Sequence, residues 1–189
     1  MNKEEMRLKI KKIRDNMNAK LVYTHSLTIQ KKLINILEKL KMDNIFIYKS
    51  FKNEVNTNYI IKYLLNNNKK VFLPRIDTDD LLTIPYNKNT EMHISKFGIL
   101  EPIGEPITLN DFICILPLIA IDKNGNRVGF GKGYYDRFLK NKNCLKIALC
   151  YDYQILENII PTPLDVPVDI IISEKRIIQI SHDNKKKRE

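Results

Sequence analysis

The sequence predicts a single-domain α/β fold, three-layered and Rossmann-like, with a mostly parallel central sheet flanked by helices. Three observations lead there. Short apolar runs suited to strands alternate with segments of helical period, as in βαβ units. One run, Phe112-Ile113-Cys114-Ile115-Leu116, is apolar at every position, as a central strand covered on both faces requires. The length of 189 residues suits one domain and allows a real core.

The elements follow in chain order. Met6, Ile10, Ile13, Met17 and Leu21 recur at helical spacing, so the chain opens with a helix. A second helix is expected over residues 20–40, with Leu33, Ile36, Leu37 and Leu40 facing inward. Residues 44–49 read as a strand and 57–67 as a helix ended by Asn66-Asn67-Asn68. Strands are expected at 70–74, 81–85 and 112–116, a helix at 134–140, and strands at 145–150, 170–172 and 177–180. Ligands of such sheets sit beyond the carboxyl ends of strands, so the loops after Lys49, Pro74, Leu116 and Cys150 are the places to look. The domain spans 1–181; the basic stretch 182–189 is expected to be a disordered, solvated tail.

Several classes are excluded. No apolar run approaches the roughly 20 residues that span a bilayer, so no membrane partner is expected. The charged first 20 residues lack the apolar core of a signal peptide. Cys114, Cys144 and Cys150 form no Cys-x-x-Cys pair and leave one over, which argues for reduced thiols in the cytoplasm. His25, His93 and His182 lack ligand spacing, which argues against zinc. The formal charge is +10, and most of the excess lies at the two ends. The first 20 residues hold seven basic against three acidic side chains, and the last five hold four against one. A polyanionic partner is implied.

The most informative stretch is a glycine-rich loop, with Gly129, Gly131 and Gly133 inside five positions. It follows the most buried strand and opens a helix. Main-chain N–H groups at such a junction, with Lys132 beside them, form an anion site. The spacing fits neither a P-loop nor the Gly-x-Gly-x-x-Gly of dinucleotide folds. Lys3, Arg7 and Arg14 form a basic stripe flanking the apolar face of the first helix. On the residues alone, a nucleic-acid-binding module and a phosphosugar- or acyl-CoA-binding protein stay open. The former would need a basic helix or aromatic strand face that reads bases, and neither is found, so no nucleic acid is expected.

Together these features resemble the 5-formyltetrahydrofolate cyclo-ligase (methenyltetrahydrofolate synthetase) family over nearly the whole chain. The block from Asn126 to Asp136, Asn-Arg-Val-Gly-Phe-Gly-Lys-Gly-Tyr-Tyr-Asp, is similar to the family signature. Lys3-x-x-Met6-Arg7 with Arg14, residues 50–55, Pro74-Arg75, Glu101-Pro102 and Val168-Asp169 are similar to its further motifs.

The resemblance implies cyclisation of 5-formyltetrahydrofolate to 5,10-methenyltetrahydrofolate, with ATP as co-substrate, Mg²⁺ as cofactor, and ADP and phosphate released. A polyglutamylated folate is a further candidate substrate, and a cytoplasmic monomer is expected. Lys132, Arg127 and Tyr134 would be catalytic. Lys3, Arg7, Arg14, Arg127, Gly129, Phe130, Gly131, Lys132, Gly133, Tyr134 and Tyr135 would bind ATP. Lys49, Glu54, Arg75, Phe130, Gly131, Lys132, Gly133, Tyr134 and Tyr153 would meet the folate. Asp136 and Asp169 would hold the metal.

Overall fold

The computed structural model describes residues 1–181; the tail at 182–189 lies outside the described residues. Among the described residues there are four α-helices: α1 (Lys3–Asp15), α2 (Ala19–Lys39), α3 (Asn58–Asn66) and α4 (Tyr134–Leu139). The strands are β1 (Asn44–Ile47), β2 (Lys70–Asp77), β3 (Asp80–Tyr86), β4 (Met92–Ile94), β5 (Leu100–Pro102), β6 (Phe112–Leu116), β7 (Ala120–Asp122), β8 (Arg127–Val128), β9 (Cys144–Leu149), β10 (Ile155–Leu156), β11 (Ile170–Ile172) and β12 (Ile177–Gln179).

The main sheet runs β12-β11-β9-β6-β1-β2-β3. Its five inner strands are parallel, and the edge strands β12 and β3 are antiparallel. The chain steps outward from β1 to β2, then returns to the other side of β1 for β6, β9 and β11. Strand order therefore reverses between β1 and β6, and connections leaving in opposite directions open a crevice at their carboxyl ends. Successive side chains point to opposite faces. Ile45, Ile47, Ile113 and Ile115 pack against Leu33 and Leu37 of α2 and Ile60 and Leu64 of α3. Phe46, Phe112, Cys114 and Leu116 pack on the other side against Leu139 of α4. This is the three-layer α/β arrangement that the alternating pattern predicts.

Three differences are instructive. The apolar series from Met6 to Leu21 is divided, because Asn18 caps α2 by accepting from the Lys20 amide at 2.8 Å. Leu21 thus belongs to α2, and Ile13 is exposed. Strand β2 runs three residues past Pro74, pairing with β3 through Asp77 but with β1 only as far as Phe72. On the β1 side nothing needs the N–H that Pro74 lacks. Finally, a second sheet, β10-β7-β8, and a hairpin, β4–β5, consist of strands of two or three residues, too short to carry a readable period.

The central strand leaves little room for relaxation. Replacing fully buried Ile115 with Ala should cost about 2–5 kcal/mol, read as a lowered urea midpoint with an unchanged m-value.

Candidate active site

A cavity of about 820 Å³ is lined by residues that follow β1 and β6, by one face of α1, and by the β4–β5 hairpin. It falls in the upper part of the roughly 300–1,000 Å³ range of ligand pockets.

Helix α1 contributes Lys3, Arg7, Lys11 and Arg14 to the wall. Lys3 pairs with the Asp165 carboxylate. Arg7 Nε donates to the Gly129 carbonyl at 2.8 Å. Arg14 is only 3% exposed; its guanidinium carbon lies 5.3 Å from the Phe130 ring centroid. Its Nη1 stands 4.0 Å from Glu54 Oε1. Arg14 Nε and Nη1 have no hydrogen-bond partner among the described residues. The end of α1 is held in place by Asn53 Nδ2, which donates to the carbonyls of Arg14, Asp15 and Met17 at 2.9, 3.3 and 3.3 Å.

The loop after β1 supplies Lys49 and Glu54. Glu54 is 8% exposed and accepts from the Phe51 amide at 2.8 Å. Burial outweighs that bond and the nearby Arg14, raising its carboxyl to about 7. Lys49 Nζ donates to Asn58 Oδ1 at 2.6 Å, and burial lowers its pKa.

The glycine loop leaves the β7–β8 pair. Arg127, buried at its root, makes an ion pair with Asp136 at 3.0 Å and donates to the Val166 carbonyl at 2.7 Å. Asp136 in turn accepts from the Val166 amide at 3.0 Å. Gly131 and Gly133 have φ of +97° and +67°, which L side chains adopt poorly. A Cβ at Gly131 would meet the Arg7 guanidinium at 3.5 Å. Lys132 and Phe130 are exposed on this loop. Helix α4 is only six residues long with no side-chain cap at Gly133, so loop amides rather than a long helix dipole would meet an anion. Tyr134 Oη donates to the Thr78 carbonyl at 3.4 Å. Tyr135 packs against Phe46 at 6.4 Å, and burial raises its phenol well above the usual range.

Fourteen of the residues singled out from sequence therefore share one lining: Lys3, Arg7, Arg14, Lys49, Glu54, Arg127, Gly129, Phe130, Gly131, Lys132, Gly133, Tyr134, Tyr135 and Asp136. Arg75, Tyr153 and Asp169 do not. Because β2 extends past Pro74, Arg75 sits within a strand. Alternation gives Pro74 and Ile76 to the cavity and turns Arg75 to the Gly104 carbonyl at 2.8 Å. Tyr153 stacks on Tyr151, with centroids 5.9 Å apart, and its hydroxyl meets Met17 Sδ at 3.3 Å. Asp169 lies at the amino end of β11, where it accepts from the Lys146 amide at 2.7 Å and pairs with its ammonium at 3.0 Å. It is thus not brought together with Asp136, and no group of three or more His, Cys, Asp or Glu ligands forms among the described residues.

Asp165, whose neighbour Val166 donates its amide to Asp136, is a further carboxylate on the lining. Burial alone would raise its pKa, but the Lys3 ammonium and the Thr162 amide hold it below the usual value. Its only sequence signal is a Pro-rich stretch, Pro161 to Pro167. Glu101, Phe51, Phe97 and Leu100 also line the cavity. Glu101 is buried on a three-residue strand and accepts from the Ile76 amide at 3.3 Å.

A mostly parallel sheet whose switch point opens into a cation-lined cavity defines an α/β protein with a small-molecule site. The model of the 5-formyltetrahydrofolate cyclo-ligase family matches residues 1–174, and the chain belongs to that family. It is 35% identical over 181 residues to the 5-formyltetrahydrofolate cyclo-ligase of Haemophilus influenzae, covering 90% of this chain and 97% of that one. Its fold matches the solved 5,10-methenyltetrahydrofolate synthetase of Aquifex aeolicus with a TM-score of 0.82 and 28% identity, over 98% and 100% of the two chains. The synthetase of Mycoplasma pneumoniae matches with a TM-score of 0.75 and 26% identity, over 92% and 99%. The protein is therefore an enzyme, a ligase of folate one-carbon metabolism. No helix among the described residues is long and apolar enough to cross a membrane.

The raised Glu54 carboxyl has a thermodynamic signature. Between the ordinary value of 4.5 and about 7, the folded protein holds a proton that the unfolded chain releases. Stability from this group is thus present at low pH and lost as pH rises through that window. The unfolding free energy of the parent minus that of Glu54→Gln should fall across the window and be flat outside it, as read from urea melts at a series of pH values. A flat difference throughout would show that Glu54 titrates normally.

Proposed function

We propose that this enzyme converts 5-formyltetrahydrofolate to 5,10-methenyltetrahydrofolate with consumption of ATP and release of ADP and phosphate. The carrying observation is that the glycine loop with Lys132, the α1 cations and the buried Glu54 all face one cavity.

The chemistry suits that arrangement. A formamide oxygen is a poor leaving group. In the proposed reaction it attacks the γ-phosphorus and ADP departs, leaving an N5-iminium phosphate. N10 then attacks the formyl carbon, phosphate leaves with the C–O bond, and the N10 proton is lost to solvent. Phosphoryl transfer depends mainly on positioning and charge neutralisation. Lys132 and the amides around Gly131 and Gly133 serve the phosphates, with Lys3 and Arg7 beside them. Glu54 faces the donor groups of the pterin, and the nearby Arg14 guanidinium has donors to spare. Tyr134 and Phe130 border the reacting groups, while Arg127, bound to Asp136 and Val166, holds the loop's shape. Lys49, Lys52 and Lys11 offer cations to glutamyl carboxylates.

Asp136 and Asp165, ion-paired with Arg127 and Lys3, are the carboxylates on the lining that would hold Mg²⁺ arriving with the nucleotide. The ion is commonly held by one or two carboxylates, with phosphate oxygens and water completing its shell. When bound, it would neutralise phosphate charge. The three thiols are unpaired, in keeping with a reducing, cytoplasmic setting.

The test is turnover. Adding 5-formyltetrahydrofolate and Mg-ATP should produce the methenyl-folate absorbance with stoichiometric ADP; no absorbance rise would overturn the reading. Lys132→Ala should lower kcat roughly 10²–10³-fold, as the loss of one preorganised charge donor does. An unchanged rate would remove Lys132 from the site.

A further inference from the structure

Arg137 lies on α4, and its guanidinium bridges two segments of main chain. Nη1 donates to the Lys132 carbonyl at 2.8 Å. Nε and Nη2 both donate to the Asp79 carbonyl, at 3.2 and 2.6 Å. The same group lies over the Tyr134 ring, 5.2 Å from its centroid. Among the described residues, its polar partners are main-chain carbonyls rather than carboxylates. Asp79 sits at the tip of the β2–β3 hairpin, whose Pro74, Ile76 and Leu81 line the cavity. The neighbouring tip carbonyl, that of Thr78, accepts from Tyr134. Gly133 is fitted to this contact: at φ +67°, a Cβ there would stand 3.0 Å from Arg137 Nη1.

We infer that Arg137 is a positioning residue, which fixes the main chain of Lys132 and sets the spacing between the glycine loop and the β2–β3 wall. This rests on the reading of Lys132 as a phosphate-binding group. Lys132 is exposed and projects from a loop of three glycines, which by itself defines its backbone poorly. One planar fork satisfies both carbonyls and stacks on Tyr134 at the same time. A lysine ammonium, compact and strongly hydrated, cannot reproduce that combination. In a reaction that depends on alignment, a misplacement of about 1 Å can cost about 10²-fold.

The experiment compares the parent, R137A, R137K and K132A in steady-state kinetics, with thermal melts alongside. R137A and R137K should both lose kcat, by up to roughly 10²-fold, with KM for the folate nearly unchanged. Millimolar guanidinium chloride should restore part of the kcat of R137A, whereas potassium chloride at equal ionic strength should not, and K132A should respond to neither. Full activity in R137K would show that charge alone suffices and would overturn the proposal. So would a lowered melting temperature in R137A with kcat intact. If R137A fails to fold, R137K, which keeps the stem and the charge, decides. Impaired K132A beside active R137 variants would sink this proposal alone. Active K132A beside impaired R137 variants would sink the reading of Lys132 on which it rests.

Discussion

The site depends on one buried guanidinium. Arg127 is 5% exposed, and a charge taken that far out of water must be paired and hydrogen-bonded. Asp136 and the Val166 carbonyl do this. The consequence is topological. Arg127 begins the glycine loop, Asp136 stands in the helix that ends it, and Val166 belongs to the segment carrying Asp165. Three pieces of chain distant in sequence or separated by glycines are thereby pinned to one point. Between these anchors Gly131 and Gly133 take positive φ, which the absence of a Cβ allows.

A second buried pair lies on the same lining, and it is tuned differently. Arg14 and Glu54 approach only to 4.0 Å, without a hydrogen bond. Arg14 leaves Nε and Nη1 unsatisfied, and Glu54 is driven toward the neutral form by burial. Such incomplete pairing is costly in a closed protein. Here it lies on the wall of an open cavity, where a ligand with both donors and acceptors would complete it. Arg127 thus holds the architecture, while Arg14 and Glu54 remain available for recognition.

The sequence discloses these features unevenly, for physical reasons. The five apolar residues of β6 and the glycine block are local signals, since their meaning lies in composition over a few positions. The basic stripe of α1 is legible because helical geometry fixes which residues share a face. Where Arg75 points is not legible locally, because its direction depends on how far β2 extends past Pro74, which the register with β3 decides. Asp169 and Asp165 are four residues apart and of one type, yet only Asp165 reaches the cavity. Asp169 is drawn to Lys146 at the opposite end of the parallel strands. That choice rests on a long-range pairing. Tyr153 similarly goes to Tyr151 and Met17, a packing contact that no local pattern announces.

The net charge takes on a location once the walls are assembled. The cationic side chains on the cavity lining are Lys3, Arg7, Lys11, Arg14, Lys49, Lys52, Arg127, Lys132, Arg137 and Lys140; the acidic ones are Glu54, Glu101, Asp136 and Asp165. Of the acids, Glu54 and Glu101 are shifted toward neutrality by burial. Ten cations against four acids thus line one concave space, the four from α1 among them. A concave wall of one sign focuses its field on what fits inside. A cavity of about 820 Å³ has room for compact polyanions. The basic stripe that composition alone leaves open to several partners is, in three dimensions, part of the wall of this site.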